Sequence, residues 1–71
     1  MLGLMVTDKE LKEMEYLVKR EMEELLFDME DSRVDQVVKQ AMTARYRVLF
    51  QLLRKIADDQ EVIKYIPNYK L

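Results

Sequence analysis

The chain has 71 residues, a net charge of −2, and neither cysteine nor histidine. This length allows one domain, and the missing residue types exclude disulfide bonds, thiol chemistry and the usual histidine base or metal ligand. Residues 1–31 carry ten acidic and four basic residues, whereas residues 32–71 carry four acidic and eight basic residues. This division predicts attraction between the two halves and argues against nucleic acid as the default partner.

The first six residues are apolar, but they have no basic lead and are too short for the core of a signal peptide. Nowhere does the sequence reach the ~18 consecutive apolar residues of a membrane-spanning helix. We therefore expect a cytoplasmic protein that has no membrane partner.

Helix 1 is predicted over residues 8–30. Thr7 and Glu10 have the spacing of a capping box, in which each side chain accepts a hydrogen bond from the backbone of the other residue. Apolar residues then recur at intervals of three and four as far as Met29, which is the helical spacing. Because this apolar stripe is only ~120° wide, we expect helix 1 to lie on the outside and to contact one neighbour.

Three residues of helix 1 depart from this pattern. Glu15 lies within the apolar stripe, where an unpaired carboxylate is costly. Tyr16 and Phe27 lie on a different side of the helix, and their spacing of eleven residues places them in line with each other. Two exposed aromatic side chains on one line are a candidate contact site for a partner. Covering by the chain's own tail is the alternative.

The segment over residues 28–35 is predicted to end helix 1 and to begin helix 2. It is rich in Asp, and both Asp and Ser favour helix caps over helix interiors. Ser32 with Asp35 makes a weak capping box for helix 2, and Asp31 is an alternative cap. Because the segment contains neither Gly nor Pro, one continuous kinked helix is the alternative. We predict helix 2 over residues 33–58, and the similar lengths of the two helices favour an antiparallel hairpin.

Helix 2 has a wider apolar surface than one neighbouring helix can cover. Its apolar residues span roughly 200° of the circumference, with Tyr46 at the margin, against the ~100° of a helix with one packing partner. We expect one half to pack on helix 1, and the other half on a second chain, on the folded-back tail or on another protein. A second chain is the preferred interpretation, and the predicted dimer core consists of Val38, Met42, Leu49, Leu52, Leu53 and Ile56.

Arg45 falls near the middle of the apolar surface of helix 2. An unpaired charge in such a position costs several kcal/mol, so we expect it to have a carboxylate partner. In an antiparallel hairpin that turns near residue 31, Glu15 lies within one helical turn of the position opposite Arg45. We therefore predict a structural ion pair between Glu15 and Arg45, within the chain or across a dimer, with Glu21 as the second candidate.

A short third helix is predicted over residues 60–66. The two aspartates before it supply its cap, and Pro67 ends it because the residue before a proline disfavours the helical conformation. The rest of the tail is expected to be extended. It either covers the open half of helix 2 or serves as a docking peptide, with Tyr65 and Tyr69 as candidate contact residues.

The sequence lacks the residue patterns of common catalytic and cofactor sites. Di-iron helical bundles need histidine, and calcium loops need a central glycine among alternating acids. The sequence has no glycine-rich phosphate loop and no nucleophile beside a base. We therefore predict a protein that is not an enzyme and that has no catalytic, cofactor-binding or metal-binding residues.

Together these patterns predict an all-α fold with one domain over residues 1–71. It is a two-helix antiparallel hairpin with a short third helical turn, assembling as a dimeric four-helix bundle with the two copies of helix 2 inside. The expected function is protein contact, as a regulator, adaptor or assembly component that binds a larger protein. The predicted partner-binding residues are Arg47, Gln51, Arg54, Tyr16, Phe27, Tyr65 and Tyr69.

The alternative function is RNA or DNA binding by the polar side of helix 2. Exposed cations contact phosphates, and glutamines can read base edges. Arg47 and Arg54 are seven residues apart on this side, and Gln51 lies between them. The sequence pI of about 5.1 argues against this alternative, because typical nucleic-acid-binding domains are strongly basic.

Overall fold

The computed structural model describes residues 1–66, and this part of the chain is all-α. α1 spans Asp8–Met29, α2 spans Gln36–Ile56 and α3 spans Asp59–Ile63. α1 and α2 pack against each other in antiparallel orientation, and α3 packs against α2. The helical hairpin with a short third helix is therefore confirmed, and no strand occurs in the described residues.

α1 begins with the capping box that the sequence predicts. The Thr7 hydroxyl accepts a hydrogen bond from the backbone N–H of Glu10 at 3.1 Å, and the Glu10 carboxylate accepts one from the backbone N–H of Thr7 at 2.8 Å. The bond from the Thr7 backbone is the main reason why the pKa of Glu10 is lowered. Residues 1–6 precede this cap as an exposed arm outside any helix.

The chain reverses direction over residues 30–35, so the alternative of one continuous kinked helix is wrong. The Asp31 carboxylate accepts a hydrogen bond from the backbone N–H of Arg33 and another from its guanidinium, each at 2.9 Å. The guanidinium is the main cause of the lowered pKa of Asp31. A carboxylate that bonds to the backbone two residues ahead favours a turn, even where the segment has no glycine.

α2 begins at Gln36, three residues later than the predicted start of helix 2. The Asp35 carboxylate accepts a hydrogen bond from the backbone N–H of Val37 at 3.4 Å, and Asp35 therefore caps the helix in place of Ser32. Aspartate and serine are both good caps, so the sequence alone does not decide between them.

α3 is shorter than predicted and lies against the end of α2. Asp58 caps it by accepting a hydrogen bond from the backbone N–H of Gln60 at 2.9 Å. Only Ala57 and Asp58 separate α2 from α3, so α3 cannot move far from the hairpin. The helix ends at Ile63, and single turn-type hydrogen bonds continue from there to Ile66.

The core lies where the three helices meet. Tyr46, which the sequence places at the margin of the apolar surface, is 1% exposed and is among the largest fully buried side chains. Its hydroxyl donates a hydrogen bond to the backbone C=O of Tyr65 at 2.8 Å. This bond satisfies the polar tip of a buried ring and attaches the segment after α3 to the hairpin. The buried apolar residues are Val18, Met22, Leu25, Tyr46, Leu53 and Val62.

Candidate interaction surface

One side of α2 is apolar and faces solvent over roughly 22 Å of its length. Val37 is 70% exposed, Val48 is 64%, Val38 is 45% and Leu52 is 37%, and the alanines between them are exposed as well. Contiguous exposed apolar side chains of this kind mark interaction sites on soluble proteins. We name this surface the α2 outer face, and it consists of Val37, Val38, Ala41, Ala44, Val48 and Leu52.

The α2 outer face is exposed because α1 covers only half of the apolar surface of α2. The half that packs on α1 is centred on Tyr46 and Leu53. At ~100° per residue, Ala41 and Val48 lie roughly 150° around the helix from Tyr46. α3 packs against α2 as well, but Val37, Val38, Val48 and Leu52 remain exposed, so neither helix of the described chain covers this side of α2.

The seam between α1 and α2 has two edges, and α3 covers only one of them. On the covered edge, Lys19 of α1 bonds to Glu61 of α3 at 3.1 Å. On the other edge, Glu21 of α1 pairs with Arg45 of α2. Lys19 and Glu21 are two residues apart in a helix and therefore point ~160° away from each other. The edge beside Arg45 is thus continuous with the α2 outer face.

Arg45 borders the α2 outer face and reaches towards α1. Its guanidinium lies 3.5 Å from the carboxylate of Glu21, and its side chain is 62% exposed. Within the chain the predicted pair with Glu15 does not form, because Glu15 bonds to Lys19 at 2.6 Å. The partner of Arg45 is Glu21, the second predicted candidate, because the buried residue that packs on α1 is Tyr46 and Arg45 lies beside it. A Glu15–Arg45 pair across a dimer stays a prediction.

A cluster of charged residues joins α1 to α3. Lys19 donates hydrogen bonds to both Glu15 and Glu61, and Lys64 pairs with Glu61 at 2.7 Å. The bond to Glu15 is the main cause of the raised pKa of Lys19, and Lys64 is the main cause of the lowered pKa of Glu61. The spacing of Glu15 and Lys19 is a local signal for a helical ion pair. The contact with Glu61 arises only from the packing of α3, and sequence reasoning missed it.

The structure divides the residues of the predicted dimer core into two groups. Leu53 is fully buried in the chain's own core, so a second chain cannot contact its side chain. Val38 and Leu52 are exposed and belong to the α2 outer face. Among the residues of the predicted dimer core, Val38 and Leu52 are therefore the most open to a second chain. The remaining three residues are half-buried and pack against the chain's own core: Met42, Leu49 and Ile56.

The predicted partner-binding residues of α2 and of the tail lie on separate surfaces. Arg47 and Arg54 are exposed on the polar side of α2, and Gln51 is exposed where this side meets the α2 outer face. Tyr65 is half-buried, and burial raises the pKa of its hydroxyl. Tyr69 lies outside the described residues.

The two aromatics of α1 are both exposed. Tyr16 is 56% exposed and Phe27 is 77% exposed, so each ring presents most of its surface to solvent. An open hollow lies beside Phe27, and its other lining residues are charged: Arg20, Glu23, Glu24 and Asp28.

In residues 1–66, no group of three or more His, Cys, Asp or Glu side chains is arranged to hold a metal ion. None of the helices described here is both long and apolar enough to cross a membrane. When the chain is compared with protein-family models, curated proteins and solved structures, nothing matches.

Proposed function

We propose that this chain is a non-enzymatic protein-interaction module, a small regulator, adaptor or assembly component that works through helical-bundle contacts. In this proposal two copies form a dimeric four-helix bundle and present their remaining surfaces to a larger protein. The proposal includes a cytoplasmic location, which rests on the sequence alone. The observation that supports the role in protein interaction is the α2 outer face, an apolar strip exposed on a chain in which 37% of the residues are charged.

Burial of the α2 outer face by another chain would be favourable in free energy. Complete burial of a Val or Leu side chain contributes about 1.5–3 kcal/mol. Val37 and Val48 are 70% and 64% exposed, so complete burial of either side chain would contribute about 1–2 kcal/mol of free energy. A chain of 71 residues has a small core of its own, so this gain is large relative to its stability.

The larger protein is expected to contact residues that the bundle leaves outside. Arg47, Gln51 and Arg54 form one exposed surface, and Tyr16 and Phe27 form another. Tyr and Arg are enriched among the residues that dominate the energetics of protein interfaces. A dimer presents each of these surfaces twice.

The test is the solution mass of the full chain and of two variants, measured by light scattering at one concentration. Val48→Asp places a charge on the α2 outer face, and Gln40→Asp places the same charge at an exposed polar position of the same helix. We expect the unsubstituted chain and Gln40→Asp to have twice the 8.6 kDa mass of one chain. Val48→Asp should be monomeric, with a helical circular dichroism spectrum.

Two results would count against the proposal. If Val48→Asp keeps the mass of the unsubstituted dimer, the α2 outer face is not the interface. If the unsubstituted chain is itself monomeric, self-association has to be removed from the proposal.

A second candidate function is RNA or DNA binding by the polar side of α2. The observation that favours it is that the 21 residues of α2 include five basic residues and no acidic residue. Affinity for a nucleic acid falls steeply and log-linearly with salt, whereas an apolar protein contact does not. Replacing Arg47 and Arg54 by Gln should then reduce both the affinity and its salt slope. Absence of binding at about 50 mM salt would remove this candidate.

A further inference from the structure

We infer that the α2 outer face packs against the same face of a second copy, in antiparallel orientation, around a two-fold axis that passes between Ala44 and Arg45. The inference rests on the proposed function and deepens it, because it specifies the contacting surface and its register. It also assigns a role to Glu21, the residue that pairs with Arg45 at the centre of this contact.

Four of the six residues of the α2 outer face match one another when the face is reversed. In an isologous contact, residue i of one copy faces residue j of the other, and residue j faces residue i in turn. With the axis between residues 44 and 45, Val37 faces Leu52 and Ala41 faces Val48, so that each pair occurs twice. The small side chains then lie near the crossing point, where the helices approach most closely, and the larger Leu52 fills the space beside Val37.

The exposed area of the chain is large enough for such a contact. Its solvent-accessible surface is 6140 Å², whereas a compact monomeric protein of 8.6 kDa exposes about 4700 Å². The exposed arm of residues 1–6 contributes part of this difference. A standard interface buries roughly 800 Å² of each partner, which is a small part of the 6140 Å² that the chain exposes.

Arg45 lies next to the proposed axis, where the arginines of two copies would repel each other. Its guanidinium reaches sideways to Glu21 of α1 at 3.5 Å. This pairing neutralises the charge and leaves the aliphatic part of the side chain available for the contact. Glu21 is therefore a positioning residue that makes an arginine compatible with the centre of the contact.

The alternative is that α1 of a second copy, and not its α2, covers the α2 outer face, because α1 is acidic and α2 is basic. The apolar stripe of α1 already packs on α2 of its own chain. On the edge of α1 beside Glu21, Leu17 is the apolar side chain that would meet the α2 outer face, and it is 54% exposed. The α2 helix of a second copy would contribute its own α2 outer face to the contact, so it provides more apolar surface than α1 does.

Cysteine pairs test the register, and the chain has no cysteine of its own. Full-length chains with Ala41→Cys and with Val48→Cys are mixed and oxidised. In the proposed register the two cysteines face each other, so the mixture should form a disulfide-linked dimer. In either variant alone, the two cysteines are offset by about 10 Å along the helices, which is too far for a disulfide. A mixture of Val48→Cys with Leu17→Cys tests the α1 helix as the occupant.

The outcomes separate this inference from the proposed function. Linking of Ala41→Cys to Val48→Cys, with no link in the other samples, supports the inference. A chain that is dimeric by mass, but links Val48→Cys to Leu17→Cys or forms no link, overturns the inference and leaves the dimer of the proposed function intact. A chain that is monomeric by mass overturns both.

The role of Glu21 is tested by the dissociation constant of the dimer, measured by dilution. Glu21→Gln should weaken the dimer about tenfold, because Arg45 loses its partner beside the axis. Glu24→Gln removes a carboxylate of the same helix that pairs with Arg20 at 3.4 Å, and it should change the constant by less than about twofold. Adding Arg45→Gln to Glu21→Gln should restore the affinity. Equal effects of the two single variants, or failure of this restoration, would overturn the assignment.

Discussion

The hydroxyl of Tyr46 attaches the segment after α3 to the hairpin, and Tyr46→Phe removes this attachment while keeping the ring. The side chain is 1% exposed, and its hydroxyl donates to the backbone C=O of Tyr65 at 2.8 Å. A hydrogen bond of this kind contributes about 0.5–1.5 kcal/mol, and the loss lies towards the upper end when a partly buried carbonyl is left without its donor. We therefore expect the free energy of unfolding to fall by about 1–1.5 kcal/mol.

The assay is thermal unfolding followed by circular dichroism. In a domain of this size, 1 kcal/mol corresponds to a shift of about 4–8 °C, so Tyr46→Phe should lower the midpoint by at least about 4 °C. Tyr16→Phe makes the same chemical change at a side chain that is 56% exposed, and it should shift the midpoint by less than about 1 °C. Equal shifts for the two variants would contradict this prediction, because the Tyr46 hydroxyl would then behave as an exposed group.

Three further predictions concern the core, a charged pair and a helix cap. Leu53→Ala should cost about 2–5 kcal/mol in chemical unfolding, because Leu53 is fully buried, whereas Leu17→Ala at an exposed site should change stability by less than about 0.5 kcal/mol. The pKa of Glu61 is lowered in the folded chain, chiefly by Lys64, so the stability it contributes is present above its ordinary pKa of 4.5 and is lost as the pH falls through the lower folded value. Glu61→Gln should therefore flatten the pH dependence of the unfolding midpoint below pH 4.5, and an unchanged pH profile would contradict this. Thr7→Ala should cost about 1 kcal/mol and increase amide hydrogen exchange in the first turn of α1, and unaltered exchange there would show that the cap is not needed.

Features that depend on neighbouring residues could be predicted from the sequence. Thr7 and Glu10 are three residues apart and satisfy each other's backbone groups, so the start of α1 follows from their spacing. The start of α2 does not follow from spacing in the same way, because Asp31, Ser32 and Asp35 are all good caps and only the path of the turn selects between them.

Features that depend on the rotation of α2 could not be predicted in the same way. The width of its apolar surface indicates two packing partners but does not show which half α1 takes. When Tyr46 faces α1 in place of Arg45, α2 is rotated by ~100° about its own axis. This one step moves Arg45 from a buried position to the edge of the helix, where it meets Glu21 instead of Glu15.

The same ambiguity affected the candidate site. Leu53 and Val48 are both apolar residues of helix 2, so the sequence alone does not separate the core from the α2 outer face. The packing of α1 buries Leu53 completely and leaves Val48 64% exposed. The sequence could therefore predict a second apolar side of helix 2, but only the structure shows which residues belong to that side.

We propose that a second copy covers the α2 outer face of the folded chain, and this claim is tested by the dependence of the thermal midpoint on chain concentration. A dimer that unfolds to separate chains is stabilised by concentration, whereas a monomer is not. For two chains of 71 residues, a hundredfold increase in concentration corresponds to about 2.7 kcal/mol and raises the midpoint by roughly 9 °C. We expect this rise for the unsubstituted chain and its loss in Val48→Asp. A midpoint of the unsubstituted chain that stays constant over the same range would contradict the claim.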